Sequence, residues 1–195
     1  FANSSTGNKY SLWVNVYGVS ERYLNVYGEK DLRAQMNQFF HRTYTHPVDG
    51  TTLDMKMLCN WYWYDETAIL ETGKGTKDWN FYRYAETLLS AAEAIAQSSG
   101  VNAEAAGYLA QVKARANMEG KDVSTIASEL QRLGKQAFIE ECWKERLREF
   151  PLEMKIWDDC VRTGKFPQIS ATNKGEVQFV DLIGATNGSG AKFKE

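Results

Sequence analysis

The stretch ECWKERLREFPLEMKIWDDCVRTGKFP, from Glu141 to Pro167, interleaves charged side chains with large apolar ones. With the residues just before it, it contains two apolar sets at helical spacing: Ile139, Trp143, Leu147 and Phe150, and then Met154, Trp157 and Val161. We interpret both sets as core stripes of helices. Pro151 lies between them, and a proline disfavours helical conformation in the residue before it. The sequence therefore predicts a helical region over 124–162 with a kink or break at Phe150–Pro151.

The charges of this stretch are spaced to pair with one another. Three pairs of opposite sign lie within one helical turn: Glu140 with Lys144, Glu145 with Arg148, and Asp158 with Arg162. Such residues meet on a helix surface, and a carboxylate beside a cation stays ionised. An ion-pair network is therefore the favoured interpretation. A hydrolase of the glycosidase type stays an open alternative, since it needs one carboxyl with a raised pKa beside an ionised one.

Two more helices are predicted upstream. The segment FYRYAETLLSAAEAIAQSSG, 81–100, has two adjacent apolar stripes: Tyr84, Leu88, Ala91 and Ile95, and Ala85, Leu89, Ala92 and Ala96. Gly100 follows as a helix stop signal. A second helix within NAEAAGYLAQVKARANM, 102–118, completes a helical hairpin of about one tetratricopeptide-like period. The usual tetratricopeptide residue pattern is not matched, so the period alone indicates only a hairpin.

The N-terminal part, 1–80, is rich in tryptophan and tyrosine and predicts loops and short strands. In SLWVNVYGV, 11–19, and in TLDMKMLCNWYW, 52–63, apolar residues alternate along the chain. The second segment follows the turn sequence HPVDGTT and reads as a hairpin or edge strand. We divide the chain into this region, a helical core over 81–167, and a loop-rich tail over 168–195. In the tail only VQFVDLI, 177–183, resembles a strand.

Composition argues against several classes of function. The chain has 195 residues and a net charge of −2 without a basic block, so we expect no nucleic-acid partner. No apolar run reaches membrane-spanning length. The cysteines Cys59, Cys142 and Cys160 are expected to be buried thiols, and with His41 and His46 they show no close metal-ligand spacing. We expect no metal, no cofactor and no catalytic activity.

Three ordered motifs carry a resemblance to a known family. They are RYAETLLSAAEA at 83–94, LAQVKARA at 109–116, and ERLREFPLE with WDDCVRTGK between 145 and 165. In these motifs the chain resembles the C-terminal region of the SusD/RagB family. These proteins are cell-surface lipoproteins of Gram-negative bacteria that bind nutrients, most often glycans. EKDLR, 29–33, is similar to an acidic-x-Arg element of the same family, so the resemblance spans about 31–167.

The resemblance implies a mostly α fold with tetratricopeptide-like helical hairpins, long loops and a few short β-strands in the N-terminal part. It implies a chain truncated at both ends, with the N-terminal lipid anchor missing. The implied place is the extracellular face of the outer membrane. There the protein would pass an oligosaccharide or polysaccharide to a TonB-dependent transporter. The motif charges are implied to be scaffold residues: Glu145, Arg146, Glu149 and Arg162.

This sequence departs from the family pattern at several positions. Ala110 replaces a usual Asn and Lys113 a usual Arg, while Pro151 replaces a usual small residue. Met154 stands where Gly is usual. Ile156 stands where an Arg is common, which removes one partner expected for Glu153.

Ligand-binding residues are expected in the aromatic N-terminal part. Sugar rings present an apolar C–H face, so aromatic side chains flanked by polar groups are the expected contacts. The candidates are Trp13, Asn60, Trp61, Tyr62, Trp63, Tyr64, Asp65 and Trp79. Strand alternation predicts that either the tryptophans or the tyrosines of 61–64 face solvent. We favour the tyrosines, because the tryptophan face continues the apolar run through Met55, Met57 and Cys59. The alternative function is a helical module that binds protein or peptide without binding sugar.

Overall fold

A computed structural model describes residues 18–72, 75, 77–187 and 190–194. The described residues form two compact units. The N-terminal unit contains the residues up to Glu21 together with Arg33–Phe81. The helical unit contains Arg22–Leu32 and the residues from Tyr82 onward. A mostly α fold is confirmed, since helices dominate the larger unit.

The N-terminal unit is built on an antiparallel hairpin of β1, Phe40–Thr45, and β2, Thr52–Asn60. The register changes between His41 and Thr43, where the strand is bulged. The turn between the strands closes with the His46 amide donating to the Thr51 carbonyl at 2.8 Å, and Gly50 takes a positive φ of 74° there. Three residues of the hairpin itself form a small core: Tyr44 of β1, and Met55 and Cys59 of β2. The predicted hairpin and turn are therefore confirmed as far as Asn60.

The helical unit contains α1, Tyr84–Ser99; α2, Ala103–Ala114; α3, Val123–Leu130; α4, Lys135–Glu149; and α5, Ile156–Thr163. Glycine and capping side chains mark the ends of these helices. Gly100 ends α1 with a φ of 82°, and the Asn102 side chain accepts from the Ala105 amide at 2.9 Å to begin α2. The Asp122 side chain begins α3 in the same way. The predicted helical hairpin is therefore present as α1 and α2.

The core of this unit is made chiefly of small and aliphatic side chains. Alanines on α1 and α2 let these helices approach closely, and Leu89, Leu109 and Phe138 fill the space around them. The predicted stripe of α4 is confirmed, since Ile139, Leu147 and Phe150 are buried and Trp143 packs against the core.

The predicted second stripe is wrong. Met154, Trp157 and Val161 are all exposed, and Trp157 is 53% exposed. The inner side of α5 is taken by Cys160, so the apolar residues of the stripe face outward. Trp157 lies against Phe193, with ring centroids 5.6 Å apart. Helical spacing identified a stripe, but it did not reveal which side of α5 meets the core.

The break at Phe150–Pro151 is confirmed. α4 ends at Glu149, a turn follows, and α5 begins at Ile156. Leu152 and Met154 take positive φ angles of 60° and 62° in this turn, a conformation that strains residues with a Cβ. The region predicted over 124–162 is three helices, because a second break, between Leu130 and Lys135, was not predicted. The turn after α4 carries backbone strain.

A second hairpin follows α5. β3, Lys165–Ile169, pairs antiparallel with β4, Val177–Asp181, and Phe179 of β4 meets the Trp143 ring edge-on at 5.2 Å. A strand within VQFVDLI is therefore confirmed. Its partner was missed because β3 contains Pro167, which disfavours a strand. Strands are thus not confined to the N-terminal part.

A buried carboxylate, Glu149, is the centre of an ion-pair network in the helical unit. It is 4% exposed and accepts from Arg83 Nη1 at 2.9 Å and from Arg115 Nη2 at 2.8 Å. Arg83 also donates to both carboxylate oxygens of Glu153, at 2.8 and 2.9 Å. Burial would lower the pKa of Arg83, but its bonds to Glu153 and Glu149 raise it overall. Ile156 therefore does not leave Glu153 without a cation.

Other ion pairs also join separate helices. Arg146 of α4 binds Glu86 of α1 at 3.2 Å and Asp159 of α5 at 2.7 Å. Arg162 binds both oxygens of Glu93, at 2.7 and 3.0 Å. Burial would raise the pKa of Glu93, but Arg162 outweighs it and the pKa is lowered. The network ties α5 and α4 to α1.

Only part of the predicted pairing is present. Glu145 pairs with Arg148 at 3.2 Å, as expected. Arg162 pairs with Asp159 rather than Asp158, and Glu140 accepts from Gln136. Among the described residues, the ion pairs Glu140–Lys144 and Asp158–Arg162 are not formed. The pairs that join α1 to α4 and α5 instead connect residues about sixty or more positions apart in sequence.

Three general expectations concern the whole chain. The thiols of Cys59, Cys142 and Cys160 are buried, as expected. Over the described ranges, no three His, Cys, Asp or Glu side chains are grouped to hold a metal ion. In that same part of the chain, no helix combines the length and the apolarity needed to cross a membrane.

We predict that Arg146→Ala lowers the free energy of unfolding by about 3 kcal/mol, because breaking a buried ion pair leaves charge uncompensated. This is the low end of the range of about 3–5 kcal/mol for breaking a buried pair. The two carboxylates keep other cations, since Lys155 still pairs with Glu86 and Arg162 with Asp159. Urea denaturation measures it. Arg132→Ala is the matched control at an exposed arginine and should change stability by less than about 0.5 kcal/mol. Equal losses in both variants would contradict a structural role for Arg146.

We predict that Met154→Gly stabilises the protein by up to about 1 kcal/mol, since glycine takes a positive φ without steric cost. Met154 is exposed, so little packing is lost. Met118→Gly is the control: Met118 is also exposed, but its φ is not positive, so glycine there should destabilise. Thermal unfolding of both variants checks the difference in sign.

Candidate functional site

The aromatic cluster of the N-terminal unit begins where β2 ends. Asn60 is 4% exposed, and its side-chain oxygen accepts from the Tyr62 amide at 2.8 Å. This bond caps a single 3-10 turn, Trp61–Trp63, so the extended conformation stops at Asn60. The turn closes with the Tyr64 amide donating to the Trp61 carbonyl at 3.0 Å.

The predicted alternation over 61–64 is therefore wrong. In a 3-10 turn, residues three apart lie on one side, so Trp61 and Tyr64 come together. Their rings stack with centroids 4.5 Å apart and planes 11° apart. Tyr62 and Trp63 form the other group, edge to face at 4.8 Å. Each group contains one tryptophan and one tyrosine.

The first group is packed onto the core of the hairpin. Trp61 is stacked between His41, at 3.7 Å, and Tyr64. Both Trp61 and Tyr64 pack against Tyr44, Met55 and Cys59. Burial raises the pKa of Tyr64 to about 12, with a smaller contribution from Tyr44. Burial also lowers the pKa of His41. This group is thus the apolar support of the site.

The second group presents an aromatic surface with polar groups beside it. Trp63 stacks on Trp79 with centroids 4.5 Å apart, and Trp79 is 51% exposed. The Asn80 amide donates to the Tyr62 hydroxyl at 2.6 Å. The Lys77 ammonium lies 5.1 Å from the centre of the Tyr62 ring and donates to the Tyr62 carbonyl. An exposed indole face beside an amide, a hydroxyl and an ammonium can stack on a ring and bond its polar substituents.

The remaining predicted site residues have other positions. Trp13 lies outside the described residues. Asp65 accepts from the Ala68 amide at 3.1 Å, at the start of the helical turn leading into Ala68–Thr72. The ligand role predicted for Asn60 stays a prediction that its burial does not favour. Lys77 and Asn80 were missed as site residues, although they flank Trp79 in the motif KDWN.

Comparison with known proteins places the chain in a family. The family model SusD_RagB, described as the SusD family, matches residues 8–187. The chain belongs to the SusD family. A SusD superfamily protein from Parabacteroides distasonis ATCC 8503 has a similar solved structure, with a TM-score of 0.74 and 26% sequence identity. The similarity covers 90% of this chain and 36% of that one. A comparison with curated proteins finds no match.

The SusD-like motifs and the aromatic cluster lie in different units. Arg83, Glu93 and Arg162 of the motifs take part in the ion-pair network of the helical unit. Trp63 and Trp79 belong to the N-terminal unit. The charges that carry the resemblance thus hold helices together, and the exposed rings of the cluster lie apart from them in sequence.

We predict that Trp61→Ala destabilises the protein by about 2 kcal/mol or more, because it removes a large ring stacked on two others. Trp79→Ala removes an exposed ring of the same size and should cost about 1 kcal/mol or less. Thermal unfolding of the two variants provides the comparison. A larger loss for Trp79→Ala would show that the second group, not the first, supports the hairpin.

Proposed function

We propose that this SusD-family chain binds glycan through the exposed face of the Trp63–Trp79 stack. The observation that supports this most directly is the exposed Trp79 ring, stacked on Trp63 next to Asn80 and Tyr62. A sugar ring fits such a surface because its C–H face covers the indole while its hydroxyls bond the neighbouring polar groups. The first group supplies the rigid base, so little ordering is needed on binding.

The wider role that we propose follows the family. The protein captures oligosaccharide or polysaccharide at the extracellular face of the outer membrane and passes it to a TonB-dependent transporter. An N-terminal lipid anchor would hold it at the membrane. We propose a binding role without catalysis, because Glu149 and Glu93 of the SusD-like motifs are engaged by arginines and hold helices together. Despite burial, the pairing with Arg162 lowers the pKa of Glu93, which makes that carboxyl unsuited to donate a proton.

We predict that Tyr62→Ala and Trp79→Ala each weaken glycan binding by about 0.5–1.5 kcal/mol for the lost ring contact. A carbohydrate array first identifies a glycan bound by the purified chain, and calorimetry then compares the variants. Trp157→Ala is the matched control, because its indole is equally exposed but lies in the helical unit.

Two outcomes would count against the proposal. Binding that survives Tyr62→Ala and Trp79→Ala but is lost in Trp157→Ala would move the site to α5. Binding of peptides with no response to any glycan would favour the interaction-module alternative.

A further inference from the structure

A groove on the helical unit combines features that the scaffold does not explain. It lies between the start of α1 and the end of α2, has a volume of about 220 Å³, and is lined by Arg83, Tyr84, Ala85, Leu88, Gln111 and Arg115. Tyr84 and Leu88 face it from α1, one turn apart, while Gln111 and Arg115 face it from α2, also one turn apart. The groove is thus walled by one aromatic–aliphatic pair and one polar pair.

Tyr84 is the first unexplained feature. Its position in an apolar stripe of α1 predicted a core residue, yet it is 73% exposed, while Leu88 of the same stripe is buried. Exposing a large ring forgoes the stabilisation that burial of its area supplies. A tyrosine left on the edge of a groove presents a ring face to any molecule that enters.

Arg115 is the second unexplained feature of the groove. Its side chain is 57% exposed, and its bond to Glu149 uses only Nη2. Glu149 is itself buried and also held by Arg83, so the guanidinium of Arg115 is anchored on one edge. Among the described residues, Nη1 and Nε of Arg115 make no hydrogen bond, so they are available to donate to a carboxylate oxygen of a ligand.

Charge favours an anionic ligand in this groove. Glu149 and Glu153 are both buried and engaged by Arg83, so they contribute little negative charge at the opening. Arg115 is the exposed charged side chain among the lining residues. Gln111 adds an amide whose nitrogen donates to the Gly107 carbonyl at 3.3 Å, which leaves its oxygen to accept from a hydroxyl.

We propose that this groove is a second sugar site that binds one acidic ring, of the uronic acid type. The Tyr84 ring stacks on the C–H face of the sugar, Arg115 pairs with its carboxylate, and Gln111 bonds a ring hydroxyl. The volume admits about one ring, since sites for drug-sized ligands begin at about 300 Å³. The choice of a sugar rests on the proposed glycan-binding function, while the choice of an acidic one rests on Arg115.

The experiment measures calorimetric binding of trigalacturonic acid to the purified chain, with neutral galactotriose as the uncharged probe. We expect trigalacturonic acid to bind, and its affinity to fall as salt concentration rises. Tyr84→Ala should weaken this binding roughly three- to tenfold. Arg115→Gln should weaken it roughly ten- to a hundredfold, as expected for a lost charge-assisted bond.

Matched controls separate recognition from folding. Tyr82→Ala and Arg132→Gln remove an exposed tyrosine and an exposed arginine outside the groove, and both should leave binding unchanged. Arg115→Gln also loses a bond to buried Glu149, so circular dichroism is used to check that this variant is folded. Tyr84→Ala and Gln111→Ala touch no ion pair and test the groove independently.

Several results would overturn the proposal. Equal, Tyr84-dependent binding of galactotriose would show that the groove does not select a carboxylate. Binding of a tripeptide with a free C-terminal carboxylate, with the same dependence on Arg115, would show that the ligand is a peptide. If trigalacturonic acid binding is lost in Trp79→Ala but not in Tyr84→Ala, the ligand binds at the aromatic cluster and not in the groove. If trigalacturonic acid does not bind but a neutral glycan binds through Trp79, the groove proposal fails while the proposed function stands.

Discussion

The helical unit depends on the buried carboxylate of Glu149 and the two guanidiniums that hold it. Removing a carboxylate from water costs several kcal/mol, and the cost is offset only when cations bond it with good geometry. Arg83 and Arg115 do so from the start of α1 and the end of α2, while Glu149 stands at the end of α4. One charge therefore fixes three helix ends together. Because Arg83 also binds Glu153, the strained turn after α4 is tied to the same point.

The helices of this unit could be predicted from sequence, but their contacts could be predicted only in part. Gly100 and Pro151 correctly marked where helices end, whereas the gap between α3 and α4 was not predicted. Pairing of charges was predicted between residues one turn apart, whereas Arg146 and Arg162 reach α1 across more than fifty residues of sequence. Spacing along one helix contains no information about which other helix stands opposite. For the same reason it placed Trp157 and Tyr84 in the core, although no described helix covers them.

The aromatic site shows a different limit. Its candidate residues were chosen from composition, because tryptophan and tyrosine cluster beside polar residues in 60–65 and near Trp79. The arrangement of these residues was not predicted, because the Asn60 side chain changes the spacing at which residues share a side of the chain. Asn60 caps a turn, and the period of two that holds along β2 becomes a period of three. An asparagine at the end of an alternating run is the signal that could have indicated this, since asparagine favours caps over strands.

Some carboxylates of this protein are buried, and some of its aromatic rings are exposed. Glu93, Glu145 and Glu149 are buried, while Trp79, Tyr84 and Trp157 are exposed. Buried charges are tolerated because arginines bond them. An exposed ring is a candidate contact surface where other groups that could hold a ligand lie beside it. The polar surroundings differ from one ring to the next. Trp79 lies near Asn80 and Lys77, and Tyr84 shares a groove with Gln111 and Arg115, whereas Trp157 stands with Val161 and Phe193. Recognition of a hydroxylated ring requires both an apolar face and hydrogen-bonding groups, so the first two surfaces are better suited to sugars than the third.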